Sequence, residues 1–148
     1  MPHWEWFLAK CSKLAERLRY TPKSVWDTFP WPQSPSDKDV EAAAAAGRQV
    51  RAVREEALSK LKGGLRALYR TLELPGKNPL KDAHAALDDA VMKCYGFSKK
   101  KDLLQQLLDL NLGVASRESR GEPVTAPGIP GSYAGDRDAL VTDDCIRP

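Results

Sequence analysis

The chain reads as mainly α-helical, a small helical domain of about five helices with an aromatic, proline-rich connector near the N-terminus and an extended C-terminal tail. Two observations predict that class. Apolar residues recur at intervals of three and four through successive segments, and no convincing stretch alternates with the period of two that a strand requires. A third sets the layout, because proline and glycine gather between these segments and beyond Gly113.

The first helix is expected from Trp4 to Leu18. Trp4, Phe7, Leu8, Cys11, Leu14, Ala15 and Leu18 would share one face, opposite Glu5, Lys10, Lys13, Glu16 and Arg17. It ends before Thr21-Pro22, since proline disfavours helical geometry in the residue preceding it. A turn-rich connector follows to about Pro35. Phe29-Pro30-Trp31-Pro32 cannot form a helix interior, because each proline removes a backbone donor. All four tryptophans, Trp4, Trp6, Trp26 and Trp31, fall in this first part, which reads as an aromatic edge.

Ser36-Asp37-Lys38-Asp39 has the form of a capping box, with a hydroxyl to accept from the first turn and acids at the positive helix end. A long helix is expected from there to Gly63-Gly64. Its apolar face is made mostly of small residues, which allow close approach but bury little area per turn. A short helix, Leu65 to Leu72, precedes the turn Pro75-Gly76-Lys77-Asn78-Pro79. Another is expected from about Leu80 to Tyr95, with Ala83, Leu87, Ala90, Val91 and Cys94 inward and Gly96 as its stop. The last runs from Asp102 to about Leu112. After Gly113 the prolines, glycines and acids predict a segment that is extended or disordered in isolation.

Composition is ordinary for a folded domain, at 42% hydrophobic and 29% charged residues. A formal net charge of +3 excludes a protein that coats DNA by bulk charge, so a nucleic-acid role must rest on where the cations sit. Cys11, Cys94 and Cys145 form no disulfide framework and no zinc-type pair, which makes a reducing, cytoplasmic setting the expectation. No run approaches the roughly 20 apolar residues that cross a bilayer. His3 sits at the terminus and His84 lies one position off a buried stripe, so neither is placed as the base of a nucleophilic triad.

Lys13, Arg17, Arg19 and Lys23 cluster on and just after the first helix, and Arg48, Arg51 and Arg54 recur every third residue on the long one. Spacing alone favours a solvated helix face, with i, i+4 pairs such as Glu56 and Lys60. The same cations could also hold phosphates.

Two segments carry a resemblance. His3 to Gln33, including Arg19-Tyr20 and the run Asp27-Thr28-Phe29-Pro30-Trp31-Pro32, resembles the end of the target-recognition domain of MmeI-like, type IIG adenine-specific DNA methyltransferases. Leu68 to Phe97, with Leu68-Tyr69, Ala83-His84, Leu87-Asp88 and Tyr95-Gly96, is similar to the start of that family's C-terminal helical domain. The resemblance implies residues 1–35 as a remnant of the recognition domain, 36–112 as the helical domain and 113–148 as a tail. It implies DNA as partner, phosphate contact by the seven cations named above, and a role in restriction-modification or phage defence.

It also implies a chain that is not catalytic alone. The glycine-rich turn that holds S-adenosylmethionine and the Asn-Pro-Pro-aromatic loop that grips a flipped adenine are absent, so cofactor and chemistry would belong to an upstream domain. Asn78-Pro79-Leu80 lacks the second proline and the stacking ring. The chain would then be a gene fragment, a remnant or a split subunit, and its aromatic N-terminal edge would favour an upstream methyltransferase polypeptide or self-association. A helical docking module that completes a separate methyltransferase subunit is the alternative.

Overall fold

The computed structural model describes residues 1–14 and 17–142, with side chains omitted for Lys13, Leu14 and Arg17. The described chain is mainly helical. Its helices are α1 (Pro2–Lys10), α2 (Pro22–Val25), α3 (Asp37–Lys60), α4 (Gly64–Arg70), α5 (Pro79–Tyr95) and α6 (Leu103–Ser119). Strands β1 (Ser12–Leu14) and β2 (Arg17–Arg19) form an antiparallel hairpin in which Lys13 pairs with Leu18. Two compact units result. One joins Met1–Pro35 to Tyr95–Ser132, and the other joins Ser36–Cys94 to the tail from Tyr133.

In the first unit Trp6, Val25, Phe29 and Leu107 are buried, with Phe7, Trp31, Tyr95, Phe97 and Leu103 packed around them. Phe29 meets its neighbouring rings edge to face, which suits their quadrupoles. Phe29 lies 5.2 Å from Trp31 and 6.4 Å from Tyr95 between centroids. Two polar handles find partners. The Trp6 indole N–H donates to Thr28 Oγ1 at 3.1 Å, and the Tyr95 hydroxyl donates to the Pro30 carbonyl at 3.0 Å. Gln33 ties the connector to the chain beyond α6, its Oε1 accepting from the Thr125 N–H at 3.0 Å.

The single helix expected from Trp4 to Leu18 is not formed. α1 ends at Lys10, Cys11 turns extended (φ −68°, ψ 147°), and the hairpin takes the chain to Arg19, while Ala15 and Glu16 lie outside the described residues. Over nine residues the aromatic side chains point all round the helix, so spacing could not fix the buried face. The face through Pro2 and Trp6 is the one buried, with an acceptor for the indole, whereas Trp4 and Leu8 stay exposed. Ser12–Leu14 and Arg17–Arg19 then pair with each other across the hairpin, which gives their backbone groups partners.

The second unit follows the sequence closely. Ser36 caps α3, its Oγ accepting from the Asp39 N–H at 3.2 Å, with Asp37 and Asp39 in the first turn. Asn78 caps α5, accepting from Leu80 N at 3.0 Å and Lys81 N at 3.3 Å. Between them Val50, Leu68, Leu80 and Ala83 form a core flanked by Val53, Ala57, Leu58, Leu61, Leu72 and Leu87. Tyr69 and His84 meet outside it, hydroxyl to Nε2 at 3.4 Å.

Gly96, at φ +65°, closes α5 as expected. α6 runs on to Ser119, past Gly113, where the sequence expectation stopped it. A helical glycine costs only about 1 kcal/mol, and the left-handed stop falls instead at Gly121, φ +72°. Beyond it the described residues, to Thr142, are irregular, with bends at 127–129 and a turn at 131–132 before one turn of 3-10 helix, Asp138–Leu140.

Candidate nucleic-acid interface

The arginine edge of α3 is a groove with an occupant. From Tyr133 the tail runs beside α3 in the same direction, and four rungs fix its register. Tyr133 Oη donates to Glu41 Oε1 (3.1 Å), and the Ala134 N–H to the Asp37 carboxylate (3.3 Å to Oδ2). Arg48 Nη1 donates to the Ala139 carbonyl (3.3 Å), and Arg51 Nη1 to Thr142 Oγ1 (3.1 Å). A cavity of about 420 Å³ opens there, lined by Arg48, Arg51, Ala52 and Glu55 of the helix and Val141 and Thr142 of the tail.

Arg54 does not line that cavity. Each three-residue step turns back by about 60° around a helix of 3.6 residues per turn, so Arg54 stands about 120° from Arg48. The structure thus brings Arg48 and Arg51 together and leaves Arg54 on a drifting flank, half-buried. Both acids and cations line the tail's path, acidic at Asp37 and Glu41, basic at Arg48 and Arg51.

The remaining expected contacts belong to the first unit. Arg19 is exposed on β2 opposite Ser12, and Lys23 is exposed on α2. Lys13 and Arg17 lie in the hairpin and not on a helix, so the shared helical face expected for them does not exist, and their side chains lie outside the described residues. Lys10 sits in the last turn of α1 with Nζ 4.9 Å from the Trp6 ring centroid, a cation–π contact.

Other cations were passed over in the sequence. From Lys60 to Lys81 the only acid is Glu73, against Lys60, Lys62, Arg66, Arg70, Lys77 and Lys81. Arg66 and Arg70 stand i, i+4 on α4, exposed, and among the described residues neither has an ion-pair partner, whereas Lys60 is paired with Glu56 at 2.6 Å. A local charge count, in place of a search for helical spacing, would have found them.

Neither Gly63-Gly64 nor Asn78 has the placement of an S-adenosylmethionine-binding turn or a base-gripping loop. Gly63-Gly64 leads from one helix into the next and follows no strand, and both faces of the Asn78 amide are used, Oδ1 on the α5 cap and Nδ2 on the Thr71 carbonyl at 3.1 Å. Cys94 donates to the Asp39 carbonyl at 3.3 Å, and burial, with the Asp39 charge nearby, pushes its thiol up from the ordinary value. A thiol so held is a poor nucleophile. Among the described residues no group of three His, Cys, Asp or Glu could hold a metal ion, and no helix is long and apolar enough to cross a membrane.

Of the expected aromatic edge, Trp6 and Phe29 are drawn into the core and Trp31 is half-buried, whereas Trp4 (52% exposed) and Trp26 (45%) stay exposed, as do Leu8, Leu18 and Tyr20. Comparison with known family models, curated proteins and solved structures gives no match to this chain.

Proposed function

We infer that this chain is a DNA-binding, recognition-supporting segment of the kind found at the C-terminal end of MmeI-like adenine-specific DNA methyltransferases, serving restriction-modification or phage defence without catalysing methyl transfer itself. The observation that carries this reading is that the residues bearing the resemblance pack on one another in pairs. Phe29 and Pro30 of the Asp27–Pro32 run contact Tyr95 of Tyr95-Gly96, sixty-five residues from Pro30. Tyr69 of Leu68-Tyr69 contacts His84 of Ala83-His84, and Leu68, Ala83 and Leu87 share one core.

On this reading Arg48, Arg51 and Arg54 on α3, and Arg19 and Lys23 in the first unit, are phosphate contacts that position the duplex and do not read its bases. Arg66 and Arg70 join them as exposed cations. The test is fluorescence anisotropy of the full chain with a labelled duplex. Binding should weaken steeply between 50 and 200 mM salt, as counterion release requires, and should vary little with sequence. Absence of binding at the low-salt end contradicts the reading.

A second reading, docking onto a methyltransferase polypeptide, is favoured by the exposed Trp4, Leu8, Tyr20 and Trp26 of the first unit. Light scattering on the purified chain checks it, since a monodisperse monomer that binds no hydrophobic dye would count against such a surface.

A further inference from the structure

We propose that the cavity lined by the connector, α6 and residues 124–127 of the first unit is a docking site for a basic polypeptide segment, one arginine of which inserts against the corner formed by Trp26 and Trp31. The inference goes beyond the nucleic-acid reading and stands without it, because the lining favours a cation and repels phosphate.

The cavity measures about 400 Å³, inside the range of about 300–1,000 Å³ usual for ligand pockets. Trp26 and Trp31 meet there at 5.1 Å between centroids and 69° between planes, so the two indoles form a corner. Trp26 stays exposed and Trp31 half-buried, which leaves ring surface open to an incoming group.

Two carboxylates, Asp27 and Glu118, line the same cavity, and no lysine or arginine does. Among the described residues neither carboxylate has a hydrogen-bond or ion-pair partner. Arg117, the chain neighbour of Glu118, is engaged by Gln33 Oε1, the Pro123 carbonyl and Glu122. The lining therefore carries uncompensated negative charge beside open indole faces. A guanidinium suits both, since it is planar, stacks on aromatic rings, keeps its charge at every working pH and donates to carboxylates in a fixed fork. Pro30, Val114, Val124 and Pro127 complete the lining with apolar surface for the aliphatic stem and the flanking backbone.

The walls are in place before any partner arrives. Gln33 Nε2 donates to the Trp31 carbonyl at 2.9 Å and the Thr125 carbonyl at 3.3 Å, and Thr125 Oγ1 donates to the Gln33 carbonyl at 2.9 Å. Asn111 Nδ2 of α6 donates to the Thr28 carbonyl at 2.8 Å. These bonds tie residues 124–127 to the connector and the connector to α6, so little conformational freedom is lost when the site fills.

The experiment is an NMR titration of the isotope-labelled full chain with acetyl-Gly-Arg-Gly amide, read at the indole N–H signals of Trp26 and Trp31. The same peptide with citrulline in place of arginine keeps the shape and removes the charge. The arginine peptide should shift both indoles saturably and leave Trp4, which does not line the cavity, unmoved. The citrulline peptide should bind about tenfold more weakly, and Asp27→Asn with Glu118→Gln should weaken the arginine peptide by about the same factor, as loss of two exposed ion pairs implies. Trp26→Ala should weaken it about threefold, the effect of one exposed cation–π contact. All three side chains are exposed, so the variants should keep the wild-type circular dichroism. No saturable shift with the arginine peptide, equal affinity for the citrulline peptide, or undiminished binding by the carboxylate variant overturns the proposal. Saturable shifts with a proline-rich peptide and none with the arginine peptide also overturn it. No outcome of this titration depends on whether the chain binds duplex, so its failure and that of the DNA reading are told apart.

Discussion

The aromatic unit and the small-residue unit hold themselves together by different means. In the first, the rings of Trp6, Phe29, Trp31, Tyr95 and Phe97 pack with Val25 and Leu107, and hydrogen bonds hold the Trp6 indole and the Tyr95 phenol. Large rings let short elements make a core, since each buries roughly 150–250 Å². In the second, the capped helices α3 and α5 and the short α4 bring Val50, Leu68, Leu80 and Ala83 together, with aliphatic neighbours such as Leu58, Leu61 and Leu87 and no aromatic ring in the core. The difference teaches where sequence patterns carry information. Capped helices with a periodic face announce themselves, whereas an aromatic cluster with several possible faces does not.

The tryptophans make the contrast measurable, because all four lie in the first unit while α3 and most of α5 belong to the second. Trp6→Ala should cost about 3–5 kcal/mol in the first unit, and Leu80→Ala about 2–5 kcal/mol in the second. In urea unfolding, Trp6→Ala should move the fluorescence transition more than the circular-dichroism one, and Leu80→Ala the reverse. Equal shifts in both probes for both variants would show one cooperative body and break the comparison. The capped helix gives a finer test. Ser36→Ala removes the acceptor for the Asp39 N–H and should cost about 1 kcal/mol, read by circular dichroism.

The smallest effect expected concerns pH and the first unit alone. His3 packs edge-on against Phe29 at 4.7 Å, its Nδ1 is buried with no hydrogen-bond partner, and burial lowers its pKa from 6.5. The folded state then holds fewer protons than the unfolded one just below pH 6.5, so stability is full above that value and declines as pH falls through it. His3→Phe keeps a ring against Phe29 and should flatten the fluorescence-detected dependence between pH 5 and 7. A dependence that survives the substitution assigns it to another group.

Much of the fold was legible in the sequence. Ser36, Asn78-Pro79 and Gly96 mark helix ends through local chemistry that needs no tertiary context, and the helices they bound lie where expected. The first helix was misjudged because Cys11, Leu14 and Leu18 keep helical spacing while the chain instead turns back on itself as a hairpin. The end of α6 was misjudged because Gly113 looks like a stop but lies within a helix that tolerates it. Of the candidate site, the α3 arginines could be named from their spacing, but the tail segment that lies along them could not. Its arginine contacts use the Ala139 carbonyl and the Thr142 hydroxyl, groups with no distinguishing pattern in the chain.

A nucleic-acid role for this chain requires that the cations of α3 neutralise DNA phosphates. The direct measurement is the slope of log affinity against log salt for the full chain and for the triple variant Arg48→Gln, Arg51→Gln, Arg54→Gln on the same duplex. The account predicts linear plots with the variant's slope shallower by roughly 0.9 for each arginine that contacts a phosphate. Parallel plots, or a wild type that binds no duplex at low salt, would contradict it.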